Sequence, residues 1–374
     1  MDRVFYTQHL RNYLDSKMLL LTGPRQSGKT TLAKQLPGSC DYLNYDHDEH
    51  RRWIKEKSWD RKKDFVIFDE IHKMPSWKRW LKGVYDVEGI PPGIVVTGSA
   101  QMDTYKKVGD SMAGRYFQYR IHPFDVRELF ETNHPKDPQS IVEQLLLYGG
   151  FPEPFLKADK KFYGMWKKTH MDIILKQDLI AIENVRDLQK LQILIDLLCE
   201  RVGSPVSYQS MSEDLETSDK TIKRWLTILE NMYVTFKILP LHKNIARANK
   251  KKPKYYFFDL ARVQEKGARL ENLVACSLFK QCQYRNDCFG EDWNLHYVSK
   301  QGGFEIDFAL SQNQKLKYLI EVKYADDTPT KNFQLFGKDL PNTPKIQLVH
   351  SLPQEKTYPN HIEVRRLGDW LCTW

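Results

Sequence analysis

The sequence predicts an α/β chain of several domains, and three observations lead there. A glycine-rich loop near the N-terminus sits between an apolar, strand-like run and a helix-forming stretch. Two more apolar runs within the first hundred residues end in polar side chains, as strands of a parallel sheet do. Late in the chain, two short strands carry acids and a lysine on one face. At 374 residues, two or three domains are expected.

The first strand is the run Met18–Leu21. Gly23, Gly28, Lys29 and Thr30 then satisfy G-x-x-x-x-G-K-[ST], and Thr31–Leu36 is helix-forming. That is the strand–loop–helix setting of a phosphate-binding loop. Gly23, Pro24, Arg25, Gln26, Ser27, Gly28, Lys29, Thr30 and Thr31 are the expected nucleotide contacts. Backbone N–H groups turn inward around phosphate oxygens, Lys29 reaches the β- and γ-phosphates, and Thr30 can hold Mg²⁺.

The apolar run Phe65–Phe68 reads as a central parallel strand, with Asp69 and Glu70 at its C-terminal end. Asp69 is placed to hold Mg²⁺, and Glu70 to polarise the attacking water as a catalytic base. A third run, "GIVVTGSA", ends in Thr97, Gly98 and Ser99. Thr97 and Ser99 match the polar strand end that senses a γ-phosphate. Phe117–Arg120 reads as a fifth strand, preceded by Arg115. Arg115 is a candidate γ-phosphate contact, in cis or from a neighbouring subunit, and a loop salt bridge explains it equally well.

The segments "GPRQSGKTTL", "VIFDEIHKMPSWKRWLK", "VTGSA", "AGRYFQYRIHPFDVREL", "YGGFPEP", "FEIDFAL" and "IEVK" together resemble one family. It is that of bacterial and archaeal AAA+ ATPases with a restriction-endonuclease-like C-terminal domain of uncharacterised function. The resemblance implies an ASCE-type P-loop AAA+ core with strand order 5-1-4-3-2, ATP and Mg²⁺ as cofactors, and a helical lid. The core is expected over residues 1–135 and the lid or connector over 136–186. Within the latter, Gln139–Tyr148 and Trp166–Ile182 have helical periodicity.

Residues 187–262 change pattern. Leu188–Cys199, "SYQSMSEDL" and "KTIKRWLTILENMYV" read as three helices, the last N-capped by Ser218. Val234–Leu239 and Tyr255–Phe258 read as two strands joined by "HKNIARANKKKPK". Three helices and a hairpin make a winged helix-turn-helix, whose third helix can enter a DNA major groove. Lys220, Lys223 and Arg224 fall on that helix's exposed side. Arg247, Lys250, Lys251, Lys252 and Lys254 would turn towards phosphates from the hairpin. Winged helices also bind proteins, and lysine-rich loops are commonly just solvated.

In the last segment, 263–374, Phe304–Leu310 and Tyr318–Tyr324 read as neighbouring strands. Asp307, then Glu321 and Lys323 two residues apart, with Glu271 on an earlier helix, resemble the PD-(D/E)xK nuclease pattern, here without its literal "PD". The pattern implies that Asp307, Glu321 and Glu271 share a second Mg²⁺ or Mn²⁺, with Lys323 orienting water. An inactive binding domain of the same fold fits the residues too.

The chain carries a net charge of +9, which suits a nucleic-acid partner and equally a solvated lysine-rich surface. No apolar run approaches the roughly 18 residues of a membrane span, and six scattered cysteines form no metal knuckle. A cytoplasmic ATPase coupled to DNA binding and processing is the expectation, with a self-associating form open. A nucleotide-switched protein-interaction ATPase with a silent nuclease-like domain is the alternative.

Overall fold

The computed structural model describes residues 3–98, 112–132, 137–175, 187–241, 252–300, 304–337, 340 and 342–374. The chain forms two compact units: Met1–Pro123 with Asn231–Tyr233 and Asp287–Phe289, and Phe124–Glu230 with Val234–Asn286 and Gly290–Trp374.

The first unit runs α1 (Val4–Leu14), β1 (Met18–Thr22), α2 (Lys29–Lys34), β2 (Cys40–Asn44), α3 (Asp48–Glu56), β3 (Phe65–Asp69), α4 (Trp77–Glu88), β4 (Gly93–Thr97) and β5 (Tyr116–Arg120). Its sheet has the order β2-β3-β4-β1-β5, with every neighbouring pair parallel. This is the order 5-1-4-3-2 that the resemblance implies. Strands β1, β3 and β4 are buried along their whole length, so they read as unbroken apolar runs rather than alternating ones. Leu20, Phe68 and Val96 from these strands pack with Ile54 of α3 and Leu81 of α4. Because the strands are parallel, Thr22, Asn44, Asp69 and Thr97 all finish at one edge of the sheet.

The second unit begins with helices α5 (Val126–Glu131), α6 (Pro138–Tyr148), α7 (Pro152–Lys157), α8 (Lys160–Ile173), α9 (Leu188–Glu200), α10 (Tyr208–Asp214) and α11 (Asp219–Asn231). The hairpin β6 (Thr235–Pro240) and β7 (Lys254–Phe257), the long helix α12 (Lys266–Phe289) and strands β8 (Trp293–Ser299), β9 (Glu305–Gln312) and β10 (Lys315–Lys323) follow. Helix α13 (Lys331–Gly337), β11 (Lys345–Val349), β12 (Lys356–Tyr358), β13 (Ile362–Arg366) and α14 (Leu367–Thr373) complete it.

Helix α6 stops at Gly149, as expected. Helix α8 starts six residues before the expected Trp166, because Asp159 caps it by accepting a 2.6 Å hydrogen bond from the Phe162 N–H. The expected end of that helix, at Ile182, lies outside the described residues. Ser218 caps α11 through a 3.1 Å bond from the Thr221 N–H.

The three helices and the antiparallel β6–β7 pair form where expected, but the hairpin is not free-standing. Strand β6 also pairs in parallel with β8, at Leu239 opposite His296 and Pro240 opposite Tyr297. Both edges of β6 are thereby hydrogen-bonded, and the hairpin ends an eight-stranded sheet of order β12-β13-β11-β10-β9-β8-β6-β7. A single sheet therefore joins residues of the 187–262 and 263–374 segments.

A buried ion cluster ties α12 to α5. Lys280, 1% exposed, donates to Asp125 at 2.8 Å and to Glu128 at 2.5 Å, while Gln281 donates to the other Asp125 oxygen at 2.7 Å. Removing one member of such a cluster leaves the others charged and desolvated. Lys280→Met is expected to lower the unfolding free energy by about 3–5 kcal/mol. Urea unfolding of the two proteins at pH 7 measures the difference, and a change below about 1 kcal/mol would refute the cluster's structural role.

Candidate functional sites

The phosphate-binding loop leaves β1 at Gly23, where the chain turns with φ +137° and a Cβ would stand 2.4 Å from the Ile121 carbonyl oxygen. Only glycine fits there. Pro24, Ser27 and Lys29 are buried, Arg25 and Gly28 are half-buried, and Gln26 and Thr31 are exposed. The Lys29 ammonium donates to the carbonyls of Gly23 at 3.1 Å and Pro24 at 2.5 Å. Burial pulls its pKa down to about 8, although Glu70 and Asp69 oppose the shift. The Ser27 hydroxyl is buried with no hydrogen-bond partner among the described residues.

Asp69 is the hub of this edge. Its Oδ1 accepts from the Thr97 hydroxyl at 2.5 Å. Its Oδ2 accepts from the hydroxyls of Thr30 at 3.2 Å and Tyr42 at 2.7 Å, and from the Asn44 amide at 3.4 Å. A hydroxyl and a carboxylate side by side are hard oxygen donors of the kind Mg²⁺ takes, so Thr30 and Asp69 fit that ion. Strand β4 lies between β1 and β3, which puts Thr97 between the loop and Asp69. Ser99 lies outside the described residues.

Sequence reasoning missed Tyr42 and Asn44. Both stand on β2, beside β3, where Asn44 pairs with Asp69 in the ladder. Alternation along "DYLN" could have flagged them as facing one side, but not which strand they would adjoin. It also missed Arg3, which is 2% exposed and donates to the carbonyls of Ser27 at 2.6 Å and His122 at 2.8 Å. Nothing local to Arg3 announces that role.

Glu70 follows with a left-handed backbone, φ 56°, and its N–H donates to the Thr97 carbonyl at 3.0 Å. Burial raises its carboxyl pKa, with Lys73, 3.5 Å away, working against the rise. His72 is buried beside it and pushed down to about 4, again chiefly by burial, so its imidazole is neutral at pH 7.

Arg115 does not reach this edge. Its carbonyl accepts from the Met18 N–H, which puts it at the opposite, N-terminal end of the sheet. A five-residue strand separates the two ends by about 16 Å. There Arg115 grips Asp86 through both carboxylate oxygens, at 2.6 and 3.1 Å. The expectation of a γ-phosphate contact in cis is therefore corrected, and the loop salt bridge is what forms.

Lys220, Lys223 and Arg224 are exposed on α11, opposite its buried face of Ile222, Trp225, Leu226 and Leu229. Lys252 is exposed as well, whereas Arg247, Lys250 and Lys251 lie outside the described residues. Lys254 is a correction. It is fully buried, its ammonium pairs with Glu305 and stands 3.7 Å from Glu271, and it cannot face a phosphate backbone.

Lys254 belongs instead to the acidic cluster of the C-terminal sheet. One step beyond the last ladder pair, Ile320 opposite Phe308, Asp307 of β9 faces Glu321 of β10. The Asp307 carboxylate accepts from the Val322 N–H at 2.8 Å, and Glu321 accepts from Lys323 at 2.8 Å. Glu271 accepts from the Tyr256 hydroxyl at 2.7 Å, and its pKa rises to about 7 through burial and then the Asp307 charge. Burial raises both Asp307 and Glu321; the Glu321 charge adds to the rise at Asp307, whereas Lys323 opposes the rise at Glu321. The predicted residues thus gather on one side of the sheet. Yet among the described residues no three acidic, histidine or cysteine side chains are set to hold a metal ion together. Asp307, Glu321 and Glu271 as arranged do not fit the second Mg²⁺ or Mn²⁺ that the nuclease pattern implies.

Residues 15–130 match a family described as AAA domain. Residues 139–264 and 266–366 match two domains of unknown function, DUF8612 and DUF4143. An uncharacterized protein of Haemophilus influenzae is 26% identical over 410 residues, spanning 99% of this chain and 98% of its own. One from Methanocaldococcus jannaschii is 24% identical over 348 residues, spanning 83% of this chain and 75% of its own. Among solved structures, the Aeropyrum pernix Orc1 protein in complex with DNA has 12% identity and a TM-score of 0.33, covering 73% of this chain and 92% of that one. A likeness that low carries no argument about function.

The depressed Lys29 pKa sets a pH profile. Bound phosphate favours the charged amine, so nucleotide affinity is expected to stay level up to about pH 8. Above that it falls, by up to about tenfold per pH unit, as the free amine loses its proton. Calorimetric ATP titrations at pH 7, 8 and 9 measure this. A flat wild-type profile, or a Lys29→Met profile as steep as wild type, would contradict it.

Proposed function

We propose that the chain binds and hydrolyses Mg-ATP at the Gly23–Thr30 loop and couples that cycle to DNA binding by its second unit. The observation that carries the ATPase reading is the convergence of Thr30, Thr97 and Asp69 beside Lys29. Lys29 would hold the β- and γ-phosphates, and Thr97 would register the γ-phosphate through its bond to Asp69. Mg²⁺, held by Thr30 and Asp69, would neutralise charge on the phosphates. Glu70 would orient a water for attack on the γ-phosphorus and take its proton as the bond to ADP breaks. Burial raises the Glu70 carboxyl, and the charges of Lys73, Arg25 and Lys29 act against that rise.

The exposed Lys220, Lys223 and Arg224 on one helix after a helix–turn support the DNA reading, with a winged helix-turn-helix as the fold of that segment. A second reading has one specific observation in its favour. The carboxylates of the nuclease-like cluster already have lysine, tyrosine or backbone partners. That suits a nucleotide-switched interaction ATPase whose C-terminal domain binds without cutting.

One set of assays separates these readings. In the full chain, Glu70→Gln is expected to keep ATP binding while turnover drops at least about 100-fold. DNA affinity is expected to fall steeply between 50 and 200 mM salt, with the slope reduced by about 2 in the Lys223→Ala/Arg224→Ala double variant. Wild-type turnover in Glu70→Gln would remove Glu70 from the mechanism. DNA affinity that is absent or indifferent to salt would favour the protein-interaction reading.

A further inference from the structure

Strand β7 sends Lys254 and Tyr256 to one side, and both reach the acidic cluster. Lys254 is 0% exposed. Its ammonium pairs with Glu305 of β9, lies 3.7 Å from Glu271 of α12, and stands 5.2 Å from the centre of the Tyr297 ring. Glu271 is fixed from behind, because Gly203 passes so close that a Cβ there would lie 2.6 Å from its carboxylate. Glu305 and Asp307 share a face of β9, two residues apart. Across from them Glu321 is 4% exposed, and its second oxygen is buried with no hydrogen-bond partner.

We propose that Lys254 is a built-in cation: its ammonium takes the place of a divalent metal among Glu271, Glu305 and Asp307, and so closes the cluster to metal. A lysine ammonium is a compact point charge that three carboxylates can surround, as they would surround a hard cation. Burial alone would drive its proton off, but the charges of Glu271, Asp307 and Glu305 outweigh burial and keep it protonated. Lys254 and Lys323 then offset part of the charge of the four acids Glu271, Glu305, Asp307 and Glu321. Metal-dependent cleavage is blocked by a residue of the chain itself. Removing that one amine would leave Glu271 and Glu305 without their buried cation, so that they must shift onto another one.

The test is Mn²⁺ binding, read by electron paramagnetic resonance of free Mn²⁺ without nucleotide. It uses the full chain carrying Asp69→Asn, so that the loop site is out of play. The Lys254-intact chain is expected to show no saturable Mn²⁺ site. Adding Lys254→Met is expected to create one, at least about tenfold tighter than any residual binding, and Glu305→Gln on top should abolish it. Melting temperature should rise with MnCl₂ in the Lys254→Met protein alone. Saturable Mn²⁺ binding with Lys254 intact, lost in Asp307→Asn, would overturn the proposal, as would a folded Lys254→Met that binds no more than its parent. If Lys254→Met does not fold without metal, Lys254→Gln takes its place and is judged by the same criterion. These readouts do not depend on ATP turnover, so they stand apart from the proposed ATPase function.

Discussion

The Asp69 carboxylate is the point on which the first unit's chemistry depends. It ends β3, accepts from Thr97 of β4 and Tyr42 and Asn44 of β2, and meets Thr30 at the start of α2. The sheet order β2-β3-β4-β1-β5 makes that meeting geometrically necessary, since parallel neighbours finish side by side. A charged group so held is preorganised: Asp69 and Thr97 end strands whose interiors are wholly apolar, and Tyr42 and Asn44 reach Asp69 from the half-buried β2. Arg3, reaching the Ser27 carbonyl from before α1, fixes the loop from its other side.

The second unit uses buried lysines as structural cations. Lys280 sits between Asp125 and Glu128, and Lys254 sits against Glu305 and Glu271. In each case the charge is tolerable only because the acids are desolvated along with it. The two clusters differ in one respect. The Lys280 acids lie close together on α5, whereas those around Lys254 come from a helix and a strand, the arrangement from which metal sites are also built.

Much of the Asp69-centred strand edge was legible in the sequence, because its signals are local. A glycine loop before a helix, an apolar run ending in Asp69 and Glu70, and another ending in Thr97 each announce a strand end of a parallel sheet. Tyr42, Asn44 and Arg3 were not legible, since their roles come from contacts set by the sheet order and the chain's return. Arg115 was read two ways, and the loop salt bridge is the one that forms: the residue precedes β5, and the start of a strand in a parallel sheet lies opposite the end where the glycine loop leaves β1. Lys254 was misjudged because it closes the run "NKKKPK". Its neighbour Lys252 is exposed, but the pleat and the sheet turn Lys254 inward. The pairing of β6 with β8 had no sequence signal, as long-range strand partners rarely do.

The Asp69-centred edge is proposed as a site for a nucleotide together with its metal. Calorimetric titration of the full chain with ATP, once with Mg²⁺ and once with EDTA, tests it most directly. One ATP per chain is predicted, bound at least about tenfold more tightly with Mg²⁺ than without. A folded chain that takes up no ATP, or takes it up equally well in EDTA, would contradict the assignment of Thr30 and Asp69.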